Sequence, residues 1–165
     1  MKAQDLVILL KIILLKDKNW KVIELSSALF LSQSEVSKGL ERLVFCGLLD
    51  ETKKNPSKTS FYEYLIHAVK YAFPVKPGRL SKGIPTSHSA PPLNSKIVSE
   101  SKYVWPHLKG TIKGESIEPL YKGAPDAAIA DSDLHEMLSL IDALRVGKAR
   151  EQALAKEMLK KRIIG

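Results

Sequence analysis

The apolar positions of this chain fall into a few helical stripes separated by one long segment that carries none. Residues 6–15 read LVILLKIILL, apolar almost all round and broken only by Lys11. This predicts a first helix at about Gln4 to Lys16, buried on more than one face. One face is expected on the next two helices, and the other against a second domain or a second subunit. A ten-residue run interrupted by a lysine is too short to cross a bilayer. No small-residue cleavage site follows it before the charged stretch KDKNWK, so it does not read as a secretory leader. After a turn at Asn19-Trp20, Leu25, Ala28 and Leu29 mark a helix at about Val22 to Phe30. Val36, Leu40 and Leu43 mark another at about Ser32 to Cys46. Ser32 with Glu35 three residues later forms a capping box, and Gly47 is a helix stop. Cys46, at the end of that helix, reads as a small core residue.

The next stretch admits two readings. LLDE at 48–51 suits a short strand, and Phe61, Leu65, Ala68, Val69 and Ala72 then recur at helical spacing. With Asn55 as cap and Pro56 at the first helical position, this predicts a helix at about 56–72. The alternative is a hairpin at 48–64 with KKNPSK as its loop. From Phe73 to Pro92 the chain has five prolines and two glycines, and no long helix survives that. An extended hairpin is expected there, with Gly78-Arg79 or Lys82-Gly83 at its tip. It would serve either as a displaced wing reaching DNA or as a linker packed over the helices. Residues 93–121 read as short strands or turns anchored by Tyr103, Val104, Trp105, Ile112, Ile117 and Leu120. Helical spacing then returns. Pro125 opens a short turn, and Ser132 caps a helix striped with Leu134, Met137, Leu138, Ile141 and Leu144. Gly147 breaks that helix, and a last one runs from about Lys148 to Ile163. The final two helices form either an antiparallel pair packed on the core or a dimerisation arm.

The implied fold class is mainly α with a small β-hairpin, in three parts. Residues 1–72 form a helix-turn-helix core with an extra helix, 73–121 a Pro/Gly-rich basic hairpin or wing with short strands, and 122–165 a C-terminal helical pair. Charge sharpens this division. The net charge is +8, distributed as +3 over residues 1–60, +6 over 61–114 and −1 over 115–165. A basic excess directly after the third helix is the footprint of a surface that faces phosphates. The single cysteine excludes an internal disulfide framework and fits a reducing cytoplasm.

Between its buried positions the third helix turns Gln33, Ser34, Ser37, Lys38 and Arg42 outward, residue types that suit base edges in a major groove. The stretch ELSSALFLSQSEVSKGLERLVFCGLL at 24–49 resembles the helix-turn-helix of bacterial MarR-like winged-helix regulators. Glu24-Leu25, Ala28-Leu29, Leu31-Ser32, Ser34, Val36-Ser37, Leu40, Arg42-Leu43 and Gly47-Leu48 carry the resemblance. It covers about the first third of the chain. It implies a winged helix-turn-helix core, a recognition helix at about 32–46 and a transcriptional regulator that binds double-stranded DNA as a homodimer. Gln33, Ser34, Ser37 and Lys38 would face bases, and Arg42 bases or phosphates. Lys53, Lys54, Lys58, Lys76, Arg79 and Lys82 are candidates for the phosphate backbone. The same core could instead seat a protein partner, as an adaptor or antitoxin-like regulatory subunit.

No catalytic constellation emerges. GRLSKGIPT at 78–86 lacks the Gly-Lys-Ser/Thr ending of a P-loop, and no serine sits in a nucleophile elbow. Asp131 and His135 do not make a metal site, being two weak ligands without a coordination sphere, and Asp131 and Asp133 are read as helix-capping and dipole-compensating residues. The chain is expected to need no cofactor or metal, to carry no enzyme activity and to have no membrane partner.

Overall fold

The computed structural model describes residues 1–165 and contains eight α-helices and one small three-stranded sheet. Helix α1 (Ala3–Leu15), α2 (Val22–Leu29) and α3 (Gln33–Phe45) pack on one another. The capping box forms as the spacing requires: Ser32 Oγ accepts from the Glu35 amide at 3.1 Å, and Glu35 Oε2 accepts from the Ser32 amide at 2.8 Å. Residues Asp5 to Leu10 of α1 are all buried. The second face of α1 meets α7 (Ser132–Val146) of the same chain rather than another subunit.

Helix α7 is the centre of the fold. Every residue from Met137 to Leu144 is buried, and α1, α4 (Lys58–His67), α5 (Val69–Ala72), α6 (Ala124–Ala130) and α8 (Ala149–Ile163) all lie against it. A helical stretch buried on every side needs neighbours all round, and here one chain supplies them. Helix α8 buries Glu151, Ala155, Leu159 and Ile163, a stripe at four-residue spacing, and turns its lysines outward. Tyr62 donates to the Lys156 carbonyl at 3.1 Å and fixes α4 to α8. The C-terminal helices are therefore a pair packed on the core. Asp131, not Ser132, caps α7, accepting from the Leu134 amide at 3.1 Å. Lys11 reaches the same carboxylate at 2.7 Å, and His135 bonds the Pro85 carbonyl at 2.7 Å.

The segment after α3 combines both sequence readings. Leu49 bridges Pro56 in an antiparallel β-bridge, and the Ser57 amide donates to the Leu48 carbonyl at 2.9 Å. This minimal hairpin ends in helix α4, so Asn55 and Pro56 belong to the hairpin and do not open the helix. Ser57 takes the cap position, and the helix breaks at Ala68.

The expected hairpin at 73–92 is not formed. Gly78-Arg79 lead into a single strand, β1 (Leu80–Pro85), and Lys82-Gly83 lie in its middle, not at a tip. Its partners are distant in sequence: β2 (Tyr103–Pro106) and β3 (Ile112–Ser116), both antiparallel to it. Tyr103 and Val104 pair in parallel with Glu115 and Ser116, which closes a three-stranded barrel. Glycine is required where the barrel is tightest. A methyl group at Gly83 would collide with the Trp105 carbonyl, and one at Gly110 with the Gly83 backbone.

Beyond β1, Thr86 to Ala90 are buried against α7. Asp142 joins the parts: its Oδ2 accepts from Thr86 Oγ1 at 2.7 Å and Trp105 Nε1 at 2.8 Å, and its Oδ1 from Arg145 at 2.8 Å. Burial pushes this carboxyl above its ordinary range, with Arg145, Thr86 and Trp105 pulling the other way. Arg145 also donates to the Phe73 carbonyl at 2.8 Å and the Glu118 carbonyl at 3.2 Å.

Asp142→Ala leaves Thr86 and Trp105 with buried donors and no acceptor and strips Arg145 of its carboxylate partner. The expected loss is about 3–5 kcal/mol, the scale for breaking one side of a buried ion pair. Urea unfolding followed by circular dichroism measures it, and a midpoint equal to that of the parent would show that α7 holds the barrel without this carboxylate.

Candidate nucleic-acid interface

The turn between α2 and α3 is built by Phe30 in the left-handed region (φ 55°) and by the Ser26 hydroxyl, which donates to the Leu31 carbonyl at 2.5 Å. Burial of Leu25, Leu29, Val36, Leu40 and Leu43 then fixes which side of α3 faces water. Gln33, Ser34, Ser37 and Lys38 are exposed on that side. Glu35, Glu41 and Phe45 are exposed as well, and Phe45 is 94% exposed.

Arg42 departs from its expected role. Its Nε donates to Asp5 Oδ2 at 2.8 Å and its terminal nitrogen to Asp5 Oδ1 at 2.9 Å. Asp5 is fully buried, and the Lys2 amide also donates to it at 2.9 Å. The hydrogen bonds that Arg42 donates to the Asp5 carboxylate raise its pKa above the ordinary guanidinium value. A two-pronged pair with a buried carboxylate is a structural clamp between α3 and α1, so Arg42 is not free for bases or phosphates. Gly39 lets the two helices approach: a β-carbon there would lie 2.6 Å from Ile8 Cδ1. Cys46 is also corrected. It is exposed at the end of α3, outside the core, with Sγ 3.4 Å from the Leu43 carbonyl.

Beside the N-terminal half of α3 lies an open cleft of about 370 Å³, lined by Trp20, Lys21, Val22, Ser37, Leu40, Thr52, Lys53 and Lys54. Ser37 comes from α3, Lys21 and Val22 from the start of α2, and Thr52 to Lys54 from the tip of the minimal hairpin. Lys54 is pre-positioned. Its ammonium sits 3.6 Å from the centre of the Trp20 ring and donates to the Trp20 carbonyl at 2.7 Å. None of Lys21, Lys53 and Lys54 is paired with a carboxylate. Such a cleft offers a phosphate three cationic groups and the Ser37 hydroxyl.

The hairpin tip owes its shape to Asp50. Its carboxylate accepts from the Thr52 hydroxyl at 2.7 Å, the Lys54 and Asn55 amides at 3.2 and 3.1 Å, and the Asn55 side chain at 2.6 Å. Those bonds, with Asn55 and Thr52 foremost, lower its pKa to about 2. Lys53 stands at φ 63°, in the left-handed region that the turn requires.

Of the predicted phosphate contacts, Lys53 and Lys54 share the cleft with Ser37. Lys58 is exposed at the first turn of α4. Lys76, Arg79 and Lys82 are exposed but belong to the barrel and the approach to it. Sequence reasoning missed Lys21, Trp20 and Thr52. The alternative hairpin at 48–64 was the signal that could have found them, because it folds the lysine-bearing loop back towards the helices.

Arg42→Ala is expected to act on stability before it acts on any ligand. Leaving Asp5 buried without its partner costs about 3–5 kcal/mol, and thermal or urea unfolding reads this directly. Full stability would mean that Asp5 does not depend on the clamp.

A second expectation concerns pH. The folded pKa of Asp50 is depressed, so the stabilisation its carboxylate gives the hairpin is present above the unfolded value near 4. It is lost as pH falls through about 2. Amide shifts of Lys54 and Asn55 should hold from neutral pH to about 3 and move only below that. Movement centred near pH 4 would show that the carboxylate network is not formed in solution.

Comparison of the chain with family models, curated proteins and solved structures returns no match, so its reading rests on the geometry and charge of the interface itself.

Proposed function

We propose that the chain is a sequence-specific duplex-DNA-binding transcriptional regulator. The observation that carries this reading is the convergence of Lys21, Lys53 and Lys54 on the cleft beside the N-terminal half of α3. Recognition helices of this kind use their N-terminal residues on base edges, and those residues here are Gln33, Ser34, Ser37 and Lys38. The minimal hairpin at 48–57 plays the part of the wing, with Lys53 and Lys54 on the phosphate backbone. Gln33 suits adenine and Lys38 suits guanine. One such helix spans only half of a usual site, so the reading includes a second copy of the chain on a two-fold operator.

The order of side chains along α3 supports this placement. Its first turns carry Gln33, Ser34, Ser37 and Lys38 together with Glu35, whose carboxylate is engaged by the Ser32 amide, whereas Glu41 and Phe45 occupy the last turns of the same exposed side. A duplex would engage the first part and leave the second outside the groove. Phe45 favours a second reading in its own right. With Met1, Lys38, Glu41, Arg42 and Cys46 it lines an open groove of about 410 Å³. A protein partner of an adaptor would bury that aromatic ring.

Selection of duplexes from a random pool by the full chain tests the first reading. On the selected sequence, Ser37→Ala and Lys38→Ala should each weaken binding by about 1–3 kcal/mol and relax preference at single positions. Lys53→Ala should weaken all sequences alike and lower the salt slope by about one. If no sequence is enriched while Phe45→Ala abolishes capture of a protein partner, the adaptor reading stands in its place.

A further inference from the structure

The barrel brings together cations that the sequence keeps apart. Lys82 on β1 and Lys113 on β3 are direct cross-strand partners in the antiparallel register. Both are exposed. Directly opposed residues hold their β-carbons about 4.5–5.5 Å apart, and like charges in that position destabilise a sheet. None of Lys82, Lys109 and Lys113 makes an ion pair. The nearest acid in register, Glu115, stands opposite Leu80.

Lys109 joins them through the loop that links β2 to β3. That loop crosses the barrel at Gly83, where Gly110 packs on the Gly83 backbone without room for a methyl group. Lys109 and Lys82 are thus each one residue from a point of backbone contact. The loop is held in place. His107 Nε2 lies 2.8 Å from Asp126 Oδ1 on α6, the Lys109 amide donates to His107 Nδ1 at 3.0 Å, and the Gly110 amide donates to the His107 carbonyl at 3.0 Å. At its tip Leu108 is fully exposed. The fold therefore pins a loop that buries neither its leucine nor its lysine.

We infer that this face of the barrel, Lys82, Lys109 and Lys113 with the loop at 107–111, is a second, sequence-independent contact for the phosphodiester backbone of a nucleic-acid duplex. The inference rests on the DNA-binding reading and extends it to a surface separate from α3. A polyanion answers the observed arrangement because it removes the like-charge cost that the folded chain leaves uncompensated. Cations placed on two strands and a loop give such a polyanion more than one point of contact. Leu108, exposed at the loop tip, would lie against the sugars between phosphates.

The test uses the full chain and random-sequence duplex DNA, with hydrogen exchange read separately over α3 and over 107–113. Affinity is measured at several salt concentrations for the parent and for Lys82→Gln with Lys113→Gln. The expected result is protection of 107–113 by the duplex. The double variant should bind roughly tenfold or more weakly at low salt, with a slope of log K against log salt reduced by about two. Its circular dichroism should be unchanged, because both side chains are exposed. Protection of α3 without protection of 107–113, or a parental slope in the double variant, would overturn the barrel contact and leave the α3 reading in place. Protection of 107–113 without α3 would keep the barrel contact and remove the recognition helix. Absence of protection at both would remove both. If poly-glutamate of matched charge protects 107–113 as well as the duplex does, the face takes acidic polypeptide and the nucleic-acid inference fails.

Discussion

The buried carboxylate of Asp142 is the constraint on which the rest of the molecule depends. The buried stretch of α7 from Met137 to Leu144 is otherwise apolar except for Ser139, and apolar packing alone sets its rotation only loosely. One charged group that must find donors fixes its rotation. Thr86 fixes the end of β1, Trp105 fixes β2, and Arg145 extends the same network to the Phe73 and Glu118 carbonyls. Segments with little regular structure are thus tied to one point on the central helix. Hydrophobic burial supplies most of the stability and little of the register; a buried carboxylate supplies the opposite.

The α-helices were legible because their signal is local. Apolar periodicity located α1, α2, α3, α7 and α8 within a few residues, and Ser32 with Glu35 announced the start of α3. The barrel was not legible because its strands are short and the paired residues of β1 and its two neighbours lie 19 to 35 positions apart in the chain. The chain around Gly83 reads as a turn, yet that residue is a place where two backbones touch. The site was legible in the same unequal way. Gln33, Ser34, Ser37 and Lys38 followed from which side of α3 is apolar. Arg42 did not, since nothing in a helical wheel reveals that Asp5, buried on another helix, claims it. The cleft at Trp20 depends on how a six-residue turn folds back, and that is decided by the Asp50 carboxylate rather than by any periodicity.

Loss of Arg42 to the core changes the electrostatics of α3. Without it, the exposed side of the helix offers Lys38 against Glu35 and Glu41. Such a helix can discriminate bases by hydrogen bonding and still contribute little to attraction. On the DNA-binding reading, affinity has to come from the cations around the helix, at the cleft and on the barrel, while α3 supplies preference. That separation has a physical consequence. Salt would act on the rim and leave the helix nearly untouched, so rising ionic strength would weaken binding overall with little change in the ratio between good and poor sequences.

The Asp5–Arg42 clamp also sets the angle at which α3 is presented. Gly39 allows close approach of α1 and α3, and the clamp holds that approach at one turn of each helix. Helix α1 in turn rests on α7, and Lys11 meets Asp131 at the start of α7. The exposed side of α3 is therefore connected, through two packed helices and two ion pairs, to the Asp142 network that holds the barrel. A molecule built this way ties α3 to the barrel face through a chain of packed elements. On the DNA-binding reading, a duplex that touches both must match the separation those contacts set, and that separation can favour bent or straight DNA without a base contact.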